Sequence, residues 1–165
     1  MNLTPEMILR GYLANTASLE EMLSVKGKTA IVTGGTSGLG FCVARRLCQG
    51  GAKVVIAGSS EEKGELAIKI LKEENLKVTF CKTNIRKEEE VEHLVDFTAE
   101  TYGSVDILVT AAGIWSFAHI EDLPEDVFKD TLDVNLLGAY RCAKYVSRYM
   151  IEHKIKGKML LVSSN

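Results

Sequence analysis

The feature of this sequence that most constrains its fold is a glycine-rich turn between two runs of different character. Residues 29–32 form an apolar, strand-like run, residues 33–40 read TGGTSGLG, and a helix-like run follows up to residue 49. Glycine permits a tight turn and lets the backbone approach phosphate groups, while the helix N-terminus offers unpaired N–H groups and a positive dipole end. A strand, a glycine turn and a helix in this order predict a site for a dinucleotide pyrophosphate.

Beyond the turn, strand-like and helix-like runs alternate along the chain. The strand-like runs are short, rich in Val, Ile and Leu, and apolar on both faces, as expected for strands buried between two layers of helices. They lie at residues 29–33, 53–57, 77–81, 106–110 and 158–163, and the amphipathic runs lie at 38–49, 61–74, 87–102 and about 125–153. This alternation predicts right-handed βαβ crossovers and an α/β fold with a doubly wound parallel sheet.

Composition bounds the classes of function. The chain has 165 residues, of which 46% are apolar and 25% charged, and its net charge is −2, so nothing favours nucleic acid or an acidic membrane surface. No apolar run is long enough to span a bilayer, and no signal peptide pattern precedes the domain, so we expect a cytoplasmic protein without a membrane partner. The four cysteines have no C-x-x-C spacing and the three histidines no ligand spacing, so we expect reduced thiols and no metal site.

The first 25 residues precede the first strand and are expected to form a helical extension to the domain that begins at residue 26. Thr4 and Pro5 suit the N-cap and first turn of one helix, and Ser18 suits the cap of a second, short helix. The sequence leaves open whether this extension lies on the surface or packs on a partner subunit.

The spacing T-G-x-x-x-G-x-G, together with four further signals in order, resembles the short-chain dehydrogenase/reductase family over about residues 26–165. The resemblance implies a Rossmann fold and an NAD(P)-dependent enzyme that interconverts an alcohol and a ketone or aldehyde. Epimerases and dehydratases on related domains usually show T-G-x-x-G-x-x-G, which this spacing does not match. By resemblance, the turn residues that seat the cofactor are Gly34, Thr36, Ser37, Gly38, Leu39 and Gly40.

The second and third strands carry the signals for the adenosine half of the cofactor. Gly58 and Ser59 stand where the family often has an acid for NAD or an arginine for NADP. The missing carboxylate and the hydroxyls of Ser59 and Ser60 favour NADP over NAD, unless Glu61 or Glu62 turns inward. After the third strand, Asn84 and Ile85 resemble the family's Asp-Val/Ile pair, which meets the adenine.

The fourth strand ends in a segment that resembles the family's N-N-A-G. Ala112 and Gly113 match its last two residues, which let the backbone pass close to the cofactor ribose. Thr110 and Ala111 replace the two asparagines, so the resemblance does not extend to the amides that brace the central sheet in the family.

Two further positions match residues of the family's active site. Asn135, in the run DVNLLG, resembles the helix asparagine that is associated with a water in the proton relay. Ser164, which closes the fifth strand, matches the serine that hydrogen-bonds the reacting carbonyl or hydroxyl. The resemblance therefore implies catalytic roles for Asn135 and Ser164.

The family's proton donor is a tyrosine with a lysine four positions later, and this pair follows the serine. Tyr140 and Lys144 have that spacing, but they precede Ser164 and lie within a helix-like run, where an exposed i, i+4 pair is common. We therefore expect the catalytic pair beyond Asn165 and a fold truncated after its fifth strand. The alternative is a non-catalytic dinucleotide-binding module or an inactive fragment.

Partners follow from the same resemblance. A small alcohol or carbonyl compound is the expected substrate. The loop after Gly113 is one candidate for the lining of its pocket; in the alternative interpretation, this loop only covers the end of the sheet. The aromatic and apolar candidates of that loop are Trp115, Phe117, His119 and Ile120. Family habit predicts a homodimer or homotetramer assembled through the helix at residues 125–153.

Overall fold

The computed structural model describes residues 23–116 and 118–163 of the chain. Of the helical extension expected at residues 1–25, residues 1–22 fall outside these ranges. The described part contains one sheet of five parallel strands in the order β3-β2-β1-β4-β5. The strands are β1 (Thr29–Thr33), β2 (Lys53–Gly58), β3 (Val78–Lys82), β4 (Ile107–Thr110) and β5 (Lys158–Leu161).

The strand order confirms the predicted doubly wound sheet. The chain moves from β1 outward to β2 and β3, then crosses back to place β4 on the other side of β1. In register, Thr33 of β1 lies beside Ala57 of β2 and Thr110 of β4, so the carboxyl ends of the three strands are level. Ligands of open α/β sheets bind where the order reverses, which here is the crevice between β1 and β4.

Within the described ranges, five α-helices cover the two faces of the sheet. They are α1 (Gly38–Gln49), α2 (Glu61–Glu73), α3 (Glu88–Tyr102), α4 (Glu125–Leu132) and α5 (Ala139–Glu152). One core cluster joins α1 and α2 to the even-numbered residues of β1 and β2, and the other joins α3 and α5 to Ile31 and Val55. Both faces of β1 are thus buried, which explains why its residues are apolar without alternation.

The single helix predicted at residues 125–153 is interrupted in the structure. A six-residue π-helical turn, Asp133–Gly138, separates α4 from α5, and a short 3₁₀ turn, Ile120–Asp122, precedes α4. Within the π turn, Val134 and Gly138 are buried and Asn135 is exposed. One wide turn leaves the apolar periodicity almost unchanged, so the sequence pattern reads as continuous helix.

The amino end of β4 is tied to β1 by the carboxylate of Asp106. It accepts hydrogen bonds from the backbone N–H of Thr29 at 3.0 Å and from the Ser104 hydroxyl at 2.7 Å, and Lys28 Nζ lies 3.4 Å away. Burial raises the pKa of Asp106, but these hydrogen bonds and the lysine charge outweigh burial and hold the pKa below its usual range. This link lies at the end of the sheet opposite the crevice.

Three of the four cysteine thiols are buried and Cys42 is exposed. Burial raises the pKa of Cys48 to about 11 and that of Cys142 to about 12, so these thiols stay protonated near neutral pH. Within residues 23–116 and 118–163, no helix has both the length and the apolar character needed to cross a bilayer. The same ranges contain no group of three or more His, Cys, Asp or Glu side chains placed to hold a metal ion.

Candidate functional site

A cleft of about 240 Å³ opens at the carboxyl ends of β1, β2, β3 and β4. Each strand contributes the residues that directly follow it, so the cleft is assembled from loops that the parallel register brings to one edge. The lining residues are Gly34, Thr36, Ser37, Ala57, Gly58, Ser59, Ser60, Lys63, Thr83, Asn84, Ile85, Arg86, Ala112, Gly113, Ile114 and Val134.

The glycine turn is packed so closely that it has no room for side chains at three positions, Gly34, Gly35 and Gly40. Gly34 has a φ of +69°, and a Cβ on it would lie 2.7 Å from the backbone of Ala112. A Cβ on Gly40 would lie 2.4 Å from the carbonyl oxygen of Gly34. The N–H of Gly34 also donates to the Ala57 carbonyl at 2.9 Å. These contacts bring the start of α1 against β1, β2 and β4 at once.

The structure places most of the sequence-predicted cofactor residues in this cleft. Those that line it are Gly34, Thr36, Ser37, Ser59, Asn84, Ile85, Ala112 and Gly113. Gly38, Leu39 and Gly40 form the first turn of α1 beside the cleft and do not line it, and the Leu39 side chain is exposed. Gly38 has a φ of +52°, and open space lies where its Cβ would be.

The loop after β2 presents hydroxyls and a lysine to the cleft. The Ser60 hydroxyl caps α2 by accepting from the backbone N–H of Lys63 at 3.3 Å, while Ser59 lines the cleft. Glu61, whose direction the sequence left open, lies 3.3 Å from Lys82 Nζ in an ion pair. Sequence reasoning missed Lys63, although a basic residue in the first turn after β2 was a signal for it.

The loop after β3 is shaped by Asn84. Its side-chain Oδ1 accepts from the backbone N–H of Arg86 at 3.2 Å, and its own N–H donates to Glu90 at 2.7 Å. Hydrogen bonds from Lys87 and from the Asn84 backbone hold the pKa of Glu90 below its usual range. These contacts fix the turn that carries Ile85 and Arg86 into the cleft.

Arg86 is a second cleft residue that sequence reasoning missed. Its Nη2 donates to Asp130 of α4 at 2.7 Å, and its buried Nε has no hydrogen-bond partner among the described residues. The guanidinium therefore connects the β3 loop to α4 at the edge of the cleft. Its only sequence signal was its place directly after the Asn84–Ile85 pair.

The loop after β4 is held by Asn135 of the π turn. Asn135 Oδ1 accepts from the backbone N–H of Ile114 at 2.9 Å, and its Nδ2 donates to the Ile114 carbonyl at 2.8 Å. By contrast, the buried hydroxyls of Thr33 and Thr110 have no hydrogen-bond partner within the described ranges. Asn135 thus anchors the loop beside the cleft, whereas the Thr110 hydroxyl forms no hydrogen bond with the described residues that could anchor it.

The remaining candidates either do not line the cleft or fall outside the described residues. Ser164 and Phe117 are not among the described residues, although the N–H of Val162 donates to the Thr110 carbonyl at 3.1 Å and so continues β5 towards the same edge. Lys144 forms an ion pair with Glu88 of α3, and neither it nor the exposed Tyr140 lines the cleft. Of the other loop candidates, Trp115, His119 and Ile120 are exposed.

The glycine turn and the sheet have counterparts in known proteins. A family model described as short chain dehydrogenase matches residues 28–165. The chain belongs to the short-chain dehydrogenase/reductase family. A relative from Thermotoga maritima, named an uncharacterized oxidoreductase, is 40% identical to this dehydrogenase family member over 128 residues, which cover 78% of this chain and 50% of the relative.

Solved structures agree with the family and with the fold. The crystal structure of gox2181 matches with a TM-score of 0.81 and 32% identity, covering 87% of this chain and 56% of that one. An actinorhodin polyketide ketoreductase variant with NADPH matches with a TM-score of 0.77 and 33% identity, covering 80% of this chain and 51% of that one. This family member thus spans about half the length of the relatives it matches.

Proposed function

We propose that the chain is the cofactor-binding part of an oxidoreductase that interconverts an alcohol and a ketone or aldehyde by hydride transfer with NADP or NAD. The observation that carries this proposal is the cleft at the β1/β4 crevice, with the glycine turn at its base and the N-terminus of α1 beside it. Family membership supports the reaction class, because the family's relatives include dehydrogenases and reductases.

The residues present fit a dinucleotide. The open space at Gly38 leaves the first turn of α1 accessible to phosphate oxygens, and Ser37 brings a hydroxyl to the same place. When bound, the cofactor supplies or accepts the hydride at its nicotinamide ring. The residues that would hold its pyrophosphate are Gly34, Thr36, Ser37, Gly38, Leu39 and Gly40; Asn84 and Ile85 would meet the adenine, and Ala112 and Gly113 the ribose next to the nicotinamide.

NADP is the cofactor that the adenosine end of the cleft suits better. Ser59, Ser60 and Lys63 lie together there, and none of the described residues that line the cleft is an Asp or Glu. A 2′-phosphate would gain a cation and hydroxyl donors and would meet no carboxylate.

Calorimetric titration with NADP and NAD tests this preference. We expect Lys63→Ala to weaken NADP binding by about tenfold, the range of one charge-assisted contact, and to leave NAD binding nearly unchanged. Lys69→Ala is the matched control, since Lys69 is exposed on the same helix and does not line the cleft. Equal losses for NADP and NAD would contradict the assignment of the phosphate to this end.

The substrate side of the site rests on Ser164 and Asn135. We propose that the Ser164 hydroxyl orients the reacting oxygen and that Asn135, besides holding the Ile114 backbone, positions a water of the proton path. Proton transfer near neutral pH needs a tyrosine whose pKa is lowered from about 10 by a nearby lysine. In the family this pair follows the serine, so in a longer protein it would complete the path.

The reaction is tested with the full-length protein, NADPH and a panel of ketones, by following the loss of dihydronicotinamide absorbance. Consumption of NADPH with at least one ketone supports the proposal. Binding of NADPH without turnover of any ketone would instead support a non-catalytic dinucleotide-binding module. Failure to bind either cofactor would rule out both functions.

We also propose that the protein forms a homodimer or homotetramer through α4, the π turn and α5. Four exposed apolar side chains recur at intervals of four residues along this segment: Phe128, Leu132, Leu136 and Tyr140. Such a stripe is typical of a surface that packs on another helix. In sedimentation, Leu136→Glu should form a smaller species than Leu66→Glu, a control at a similarly exposed leucine of α2. Identical sedimentation of the two variants would contradict the interface. The cytoplasmic location expected from the sequence stays a prediction.

A further inference from the structure

The two ends of the cleft differ in the part of the cofactor that each can meet. Ser59 and Asn84 follow β2 and β3, whereas Ala112 and Gly113 follow β4 on the other side of the glycine turn. With the pyrophosphate held at the turn between them, the adenosine would be met by the loops after β2 and β3 and the nicotinamide by the loop after β4. The loop after Gly113 is therefore the part of the described structure nearest to the chemistry.

This loop begins with two large apolar residues, of which the first is held in place at the cleft. Both backbone hydrogen-bonding groups of Ile114 are taken by the Asn135 amide, and Ile114 itself lines the cleft. Trp115 follows directly and is 79% exposed. An anchored backbone with an exposed indole at its next residue offers a flat apolar surface that a ligand can cover at low entropic cost.

The charges around this end disfavour an anionic substrate. Residues 111–124 contain no lysine or arginine, and they include Glu121 and Asp122. The two cations of the cleft, Lys63 and Arg86, belong to the loops after β2 and β3, and Arg86 is already paired with Asp130. A carboxylate on the substrate would therefore find no lysine or arginine in the β4 loop to pair with.

We propose that Ile114 and Trp115 form the apolar wall of the substrate site. The substrate is then a neutral ketone or alcohol with a flat apolar group beside its reacting carbon. This inference rests on the proposed oxidoreductase function and names the substrate class for the same site. It makes Trp115 a specificity-determining residue, with Asn135 as the residue that positions the wall.

The first test uses the fact that Trp115 is the only tryptophan of the chain. Dihydronicotinamide absorbs where tryptophan emits, so NADPH bound with its ring over β4 quenches the Trp115 emission. Calorimetry on the same samples measures NADPH binding independently of the fluorescence. Quenching that saturates together with the calorimetric binding curve is the expected result. Binding without quenching would place the ring away from Trp115 and overturn the inference.

The second test compares two ketones on the protein saturated with NADP, the oxidised cofactor, so that no reduction takes place. We expect acetophenone, which is neutral and aromatic, to bind at least about tenfold more tightly than levulinate, which is a small anionic ketone. Trp115→Ala should weaken acetophenone binding by about tenfold, while Trp115→Phe, which keeps a flat ring, should weaken it less than about threefold. Leu66→Ala, at an exposed residue of α2, should change neither affinity.

The outcomes separate this inference from the function on which it rests. Normal NADP binding together with equal acetophenone affinities for the wild type and Trp115→Ala overturns the apolar wall and leaves the oxidoreductase proposal standing. Equal binding of levulinate and acetophenone overturns the substrate class. Loss of cofactor binding in the wild type overturns the proposed function, and this inference falls with it.

Discussion

β1 and β5 have similar apolar character but opposite environments. Every residue of β1 is buried, because β2 and β4 flank it and helices cover both faces. Every residue of β5 is exposed, and within the described ranges β5 pairs with β4 alone. The apolar composition of a segment thus predicts a strand, but it does not determine whether that strand is buried. Burial depends on neighbouring strands and helices from other parts of the chain.

The same contrast extends to the loops that the two sides of the sheet present to the cleft. The turn after β1 is fixed by backbone packing of Gly34 against Ala112 and of Gly40 against Gly34. The loop after β4 is held by one side chain, Asn135, through two hydrogen bonds. The difference teaches that the turn after β1 is fixed by the backbone itself, whereas the loop after β4 depends on a side chain.

Gly34→Ala tests the backbone packing of the turn after β1, and we expect it to cause the largest loss in the free energy of unfolding. The new Cβ would meet the Ala112 backbone at 2.7 Å in a φ region that side chains avoid, so we expect a loss of about 3–5 kcal/mol. Gly27→Ala is the matched control, because Gly27 has a similar φ of +75° and open space around it, and we expect it to lose about 1–2 kcal/mol. Urea unfolding measures both, and equal losses would show that the contact with Ala112 does not matter.

The comparison of β1 with β5 is tested by truncating one apolar side chain in each. Ile31 is fully buried, so Ile31→Ala should cost about 2–5 kcal/mol by leaving a cavity in the core. Leu160 is 57% exposed, and Leu160→Ala should cost less than about 1 kcal/mol. Comparable losses in thermal unfolding would mean that β5 is covered in solution.

The smallest expected effect concerns the link between β1 and β4 at the opposite end of the sheet. Asp106→Asn removes the charge that accepts from Thr29 and Ser104, and we expect a loss of about 1–2 kcal/mol at neutral pH. Because the pKa of Asp106 is lowered by folding, its stabilisation is present above the usual carboxyl range and is lost as the pH falls through the lowered value.

The variant should therefore show a weaker dependence of stability on pH in the acidic range than the wild type. Urea unfolding at a series of acidic pH values measures this slope. An unchanged slope would mean that Asp106 does not have a lowered pKa. Glu62→Gln, which removes an exposed carboxylate from α2, is the control for the loss of one negative charge.

Much of the fold followed from the sequence because its strands are apolar on both faces and separated by amphipathic helices. The strand positions agree to within one or two residues, as for β3, expected at 77–81 and found at Val78–Lys82. The π turn at Asp133–Gly138 was not foreseen, since a single wide turn hardly alters the helical pattern. Lys63 and Arg86 were missed because their only local signal is their position shortly after β2 and β3. The register of these two strands brings both residues to the cleft.

The sequence by itself determined the succession of strands and helices along the chain and the position of the glycine turn. These depend on local conformation and on which residues avoid water. Only the tertiary structure decided that Gly34 packs on Ala112, that Asn135 holds Ile114 and that β1 is buried while β5 is not. Those contacts join segments distant in the chain. Their geometry depends on how the strands align and how the helices pack across the sheet, which no local pattern records.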